Sequence, residues 1–196
     1  MNTRRKATVK SGSINLPDFS AHNLLIRTKQ GEISPLIFND AQNRLHKRLE
    51  GLLKRTGRAR ALILKARQPG VSTYVQSRYY HKLLQRSGVQ AYILTHQRDA
   101  TEVIFRIAER FHENNPDPQK PKMAVANAKE IFFANTGNGY RVGTSGSKAV
   151  WRGQAFQRFI EFDGDFTTDA HVVIKGVHLV PFTLLAISSE IKTDTR

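Results

Sequence analysis

The stretch ARALILKARQPGVSTYVQSRYYHKLL constrains the fold more than any other part of the chain. ALILKA is an uninterrupted apolar run of strand length, the pattern of a strand buried on both faces, and it ends in the polar, glycine-bearing loop RQPG. Val71, Val75, Tyr79 and Leu83 then recur every four residues until Arg86-Ser87-Gly88, which predicts a helix closed by a glycine. The pattern repeats at once. VQAYILTH reads as a second buried strand, and Asp99 with Glu102 opens a second helix whose core face is Val103, Ile104, Ile107, Ala108 and Phe111, stopped by Asn115 and Pro116. Strands that alternate with helices predict the α/β class, with a mostly parallel sheet flanked by helices.

The flanking segments fit around that unit. Ala41, Leu45, Leu49, Leu52 and Leu53 follow helical spacing over Asp40 to Arg55, with Asp40 read as the cap and a very basic outer face. Short strands are expected at Glu130 to Ala134 and Tyr140 to Val142, then a Gly/Ser-rich loop from Gly143 to Lys148 and a strand from Phe159 to Phe162. Residues 1 to 20, with Gly12 and Pro17, show neither helical nor strand periodicity and read as a mobile basic arm.

A chain of 196 residues with 39% hydrophobic and 24% charged residues suits one domain with its own core. Lys and Arg number 31 against 16 Asp and Glu, a net charge of +15 that points to a polyanionic partner, nucleic acid or bound phosphate. Most of the excess lies in residues 1 to 70. Cysteine is absent, which excludes disulfides and thiolate metal sites. The longest oily run, near Val177 to Ile187, is too short for a membrane span.

KARQPGVST sits where a phosphate-binding loop belongs, between a buried strand and a helix whose first N–H groups lack partners. The usual pattern G-x-x-x-x-G-K-[ST] is broken: Gly70 and Ser72 keep the glycine and the hydroxyl, while Val71 replaces the lysine. Lys65 stands at the other end of the loop, with the length to reach the same phosphates from the opposite side. On spacing alone, an ordinary strand-to-helix turn with Lys65 and Arg67 as solvated charges fits as well.

Taken together, KARQPGVST, LIRTKQGEISPLIFNDAQNRL ahead of it, RSGVQAYILTHQRDAT and NAKEIFFANTGNGYRVGTSGSKAVWRGQAFQRF after it resemble, in this order, the ATPase region of the large terminase subunit of tailed bacteriophages. That family carries a phosphate loop with its lysine moved to the front. The resemblance covers roughly residues 22 to 160 and implies a P-loop NTPase of the additional-strand, RecA-like type. It divides the chain into the arm 1–20, an ATPase domain 21–165 and a divergent tail 166–196.

The resemblance also implies roles. Lys65 would contact the β- and γ-phosphates of ATP, the backbone of Gln68, Gly70, Val71 and Ser72 would cradle them, and the Ser72 hydroxyl would help hold Mg²⁺. Thr73 would meet the α-phosphate, Arg67 would swing towards the γ-phosphate, and Gln42 would read adenine. FIEFDGD supplies the acidic residues, with Asp163 on the metal side and Asp165 close behind for the attacking water, although the family usually has a glutamate here. Arg141, Lys148 and Arg152 would track DNA phosphates or complete a neighbouring subunit's site, and a solvated surface uses the same residues.

By the same resemblance the expected partners are double-stranded DNA, the small terminase subunit, the portal and further copies of the chain in a ring, in the cytoplasm of a bacterial host. Family members continue into a nuclease domain. Residues 161 to 196 contain neither its acidic cluster nor a recognisable coupling motif, so a truncated remnant or an ATPase fragment without DNA cleavage is expected. Two alternatives stand beside the packaging ATPase: a non-catalytic polyanion-binding remnant, and a helicase-like ATPase.

Overall fold

The computed structural model describes residues 15–28, 30–57, 59–64, 70–95, 98–127, 129–144, 158–163 and 183–188. The chain enters through helix α1 (Leu16–Asn23), strands β1 (Leu25–Arg27) and β2 (Ile33–Pro35), and helix α2 (Asp40–Thr56). Strand β3 (Arg60–Leu64), helix α3 (Val71–Gln85), strand β4 (Gln90–Thr95) and helix α4 (Arg98–Asn114) follow. Strands β5 (Val125–Asn127), β6 (Glu130–Phe133), β7 (Asn138–Thr144), β8 (Arg158–Asp163) and β9 (Thr183–Ser188) complete the described part.

β1 and β2 form a small antiparallel ribbon, and the other seven strands form one sheet in the order β3-β9-β8-β4-β7-β6-β5. β3, β9, β8, β4 and β7 pair in parallel, while β6 and β5 add an antiparallel edge. The expected strands in ALILKA and VQAYILTH, seen as β3 (Arg60–Leu64) and β4 (Gln90–Thr95), thus run parallel in one sheet. They are not neighbours, because β9 and β8 stand between them.

α3 is the buried centre. The four expected apolar positions Val71, Val75, Tyr79 and Leu83 are all buried, and Tyr74, Tyr80 and even Arg78 join them, because the helix packs against α1, α2, α4 and the sheet. In α4, Ile104, Ala108 and Phe111 are buried as expected, but Phe105 takes the place of Val103, which is 61% exposed. The helix is rotated so that its second turn offers the larger side chain to the core.

Three local readings change. Residues 16–20 belong to α1 instead of the arm: Asn15 caps the helix by accepting the Asp18 N–H at 3.0 Å, and Pro17 sits in the first turn, where its missing N–H costs nothing. Leu16 and Phe19 are buried on that helix. α2 is capped by Asn39, one residue before the Asp40 expected in that role. Finally, β9 lies beyond the expected domain boundary at residue 165 yet is hydrogen-bonded on both sides within the sheet. Residues 1–14 of the arm and most of the tail lie outside the described residues.

Candidate functional site

Gly70 is the hinge between the loop and α3. Its φ of 74° and ψ of 17° are left-handed, a conformation glycine adopts without the Cβ penalty. The turn is needed because α3 starts immediately after it, and the Gly70 carbonyl accepts the first helical bond from the Tyr74 N–H at 3.0 Å. The N–H groups of Val71, Ser72 and Thr73 precede that bond, so the helix itself does not use them. No acidic residue occupies the first turn of α3, and no side chain caps its N-terminus. That end is electrostatically prepared for an anion.

Gln42 fixes this hinge from the side. Its Oε1 accepts the Asn39 N–H at 2.9 Å while its own N–H donates to Asn39 Oδ1 at 2.9 Å, a reciprocal cap at the start of α2. Its Nε2 donates to the Gly70 carbonyl at 2.7 Å. The side chain is 3% exposed, and its amide joins two helix N-termini. Phe38 and Tyr74 pack edge to face at 5.3 Å beside the tether, and His46 Nδ1 lies 3.3 Å from the Tyr74 hydroxyl. Burial raises the Tyr74 phenol and lowers the His46 imidazole, so both groups are neutral at pH 7.

The sheet sets the other half of the geometry. Leu64, the last residue of β3, is in register with Ser188 of β9, and Ile187 is in register with Asp163, the last residue of β8. Asp163 also pairs with Thr95 at the end of β4. Four parallel strands therefore end at one edge, with β3 and β8 about 10 Å apart across β9 at the usual strand spacing. The C-terminal end of β3 lies on the same edge of the sheet as Asp163, where parallel α/β sheets bind their ligands.

The remaining site residues divide. Thr73 lines a cleft of about 290 Å³ with Ile26, Arg27, Val103 and Arg106. Arg141 is committed to other partners: its Nε donates to Glu130 Oε1 at 2.7 Å and its Nη1 to the Tyr92 hydroxyl at 3.1 Å. The tyrosine hydrogen bond and the carboxylate both hold the guanidinium charge in place. Lys65, Arg67, Gln68, Lys148, Arg152 and Asp165 lie outside the described residues.

One supporting residue escaped the sequence reading. Asn138, fully buried, accepts the Val89 N–H at 2.7 Å and donates to the Leu83 and Arg86 carbonyls at 2.5 and 2.6 Å, closing the C-terminus of α3 where a glycine was expected to do so. No local pattern marks it. β9 did carry a signal, because TLLAIS is an apolar run of the same kind as ALILKA.

No protein-family model matches the sequence, and no curated protein matches it. Among solved structures, the fold is similar to the HK97 bacteriophage large terminase, with a TM-score of 0.69 at 14% identity over 91% of this chain and 38% of that one. It is also similar to the ATPase domain of the Thermus phage P74-26 large terminase, with a TM-score of 0.56 at 17% identity over 74% of this chain and 65% of that one. A mutant of the same domain matches at a TM-score of 0.53 and 18% identity, over 76% of this chain and 64% of that one. The chain spans less than two thirds of the length of each. The mixed α/β fold is therefore that of phage large terminase ATPase domains.

Proposed function

We propose that this chain is a terminase-type P-loop ATPase region that couples ATP hydrolysis to movement of duplex DNA during genome packaging. The observation that carries the reading is the shared sheet edge: the C-terminal end of β3 at Leu64 and that of β8 at Asp163 flank the inserted strand β9. The donors fit a triphosphate with Mg²⁺, because the first turn of α3 offers backbone N–H groups and no competing carboxylate. In this reading Lys65 neutralises the outer phosphates, Gln68 and Gly70 to Thr73 line the cradle, and Ser72 with Asp163 would hold Mg²⁺. The bound ion would neutralise phosphate oxygens as charge develops on them.

Arg67 adds a guanidinium that stabilises the same charge, and Asp165 orients the attacking water. Gln42 acts at the base of the loop by fixing Gly70. An adenine contact would use its second amide hydrogen and the remaining lone pair of its oxygen, the other of which accepts from Asn39. The net charge of +15 is assigned to DNA phosphates. Ring assembly, the small terminase subunit, the portal and a bacterial cytoplasm belong to the same reading.

Mg²⁺-dependent ATP turnover with and without duplex DNA, compared between the wild-type chain and Asp163→Asn, tests it. Turnover should be stimulated by DNA and fall by about tenfold or more in the variant. Salt-sensitive DNA binding without any ATP turnover would favour a non-catalytic polyanion-binding module.

A further inference from the structure

A cleft of about 500 Å³ lies between α1, α2 and α3, away from the phosphate loop. Lys47, Glu50 and Lys54 line it from α2, at spacings that place them on one helix face, and Arg78, His81 and Lys82 line it from α3. At about 1.5 Å of rise per residue, Lys82 stands about 15 Å along the α3 axis from Ser72. A ligand seated against it is therefore separate from one at the N-terminus of α3.

The cleft is built around a buried cation. The Arg78 side chain is 1% exposed, and its Nη1 donates to Glu50 Oε1 at 2.6 Å and to the Tyr74 hydroxyl at 3.4 Å. Its Nε and Nη2 are buried and have no hydrogen-bond partner. Two unpartnered nitrogens, carrying three N–H groups, on a buried guanidinium are costly, and they call for acceptors. Glu50 balances one of the four cations in the wall, leaving three in excess.

The surrounding groups carry the same imbalance. Burial, and then the charge of Arg78, lowers the Lys82 ammonium from its ordinary value, while Glu50 opposes that shift. His81 is held neutral by burial, its ring tilted against Phe19 at a centroid distance of 4.5 Å and its Nε2 3.0 Å from the Gln85 amide. It is a polar wall without added charge. Gly51 has no neighbour within 4 Å of where a Cβ would stand, which leaves the α2 side of the cleft open.

We infer that this cleft is a second phosphate-binding site, which takes a phosphate group between Arg78, Lys82 and the lysines of α2. A guanidinium with free donors, flanked by ammonium groups, matches the several acceptor oxygens and the charge of phosphate better than it matches a single carboxylate. The group comes either from a small diphosphate or from a DNA backbone, and the two sources are separable.

Calorimetric titration of the full chain with pyrophosphate tests the site, in a Lys65→Ala background that removes the proposed loop contact. The Lys65→Ala chain should still bind, and adding Lys47→Gln and Lys82→Gln should weaken binding at least tenfold. A charge-matched control, Arg48→Gln with Lys122→Gln at exposed positions, should retain most of the affinity. Competition with a short DNA duplex identifies the source: displacement of pyrophosphate assigns the DNA backbone, and persistence assigns a small diphosphate. No binding in the Lys65→Ala chain, or equal losses in the cleft variant and its control, would overturn the inference. Arg78→Lys, checked for folding by circular dichroism, should also weaken binding, and unchanged affinity in that folded variant would contradict it. Failure of the ATPase reading would leave this outcome unaffected, because no step of the titration requires turnover.

Discussion

Gln42 donates from Nε2 to the carbonyl of Gly70 at 2.7 Å, a bond between residues 28 positions apart that ties the start of α2 to the start of α3. The same side chain completes the α2 cap, so its two functions can be separated by substitution. Gln42→Glu keeps an oxygen for the Asn39 N–H but turns a donor into an acceptor facing Gly70. At pH 8 this should cost about 1–3 kcal/mol in urea denaturation. The loss relative to wild type should shrink towards pH 5, because a buried carboxyl that protonates can donate to Gly70 again. A loss that grows on acidification would contradict the tether.

Gly70→Ala meets two obstacles. The φ of 74° disfavours any Cβ, and that atom would stand 2.7 Å from Gln42 Nε2. The expected cost is about 1–3 kcal/mol. In the double variant with Gln42→Ala, the second substitution should cost measurably less than in the wild-type background, which a double-mutant cycle reads directly. Simple additivity would show that the contact is not felt.

Asn138→Ala leaves the Val89 N–H and the carbonyls of Leu83 and Arg86 without their side-chain partner inside the protein. A loss of about 2–4 kcal/mol is expected in chemical denaturation, large for a single residue. A loss below about 0.5 kcal/mol would show that this closure of α3 is not needed.

The alternation β3-α3-β4-α4 was legible because each element carries its own apolar period, and Gly70 was legible as the residue that turns a strand into a helix. What escaped depends on partners distant in sequence. Gln42 drew attention through a family resemblance as an adenine contact, yet its bond to Gly70 appears only when α2 and α3 meet. Arg141 drew attention as a basic residue for DNA phosphates or a neighbouring subunit's site, while its carboxylate partner, Glu130, comes opposite it only in the antiparallel register of β6 and β7. α1 was missed because Pro17 was taken as a break when it stands in a first turn. β9 has the apolar run of a buried strand, but nothing local says that it slots between β3 and β8.

Buried histidines make stability depend on pH, His112 and His81 most strongly. Burial, aided by Lys120, lowers His112 to about 4, and burial, aided by Lys82, lowers His81 to about 3. Both are neutral in folded and unfolded chains above about pH 6.5. Between about pH 6.5 and 4 the unfolded chain takes up protons that the folded one refuses, so stability should fall as pH falls. Urea midpoints measured from pH 7 to 4 check this, and His112→Gln should flatten the decline. A midpoint independent of pH over that range would contradict the burial of both rings.

In the proposed function, the loop ahead of α3 binds nucleotide phosphates with its lysine at the front. Equilibrium binding of a fluorescent ATP analogue with Mg²⁺, measured on the wild-type chain and on Lys65→Ala at matched folding stability, tests it most directly. Removing a charge-assisted contact of about 1.5–3 kcal/mol should weaken affinity roughly 10- to 100-fold. Equal affinity in the two proteins would contradict the account.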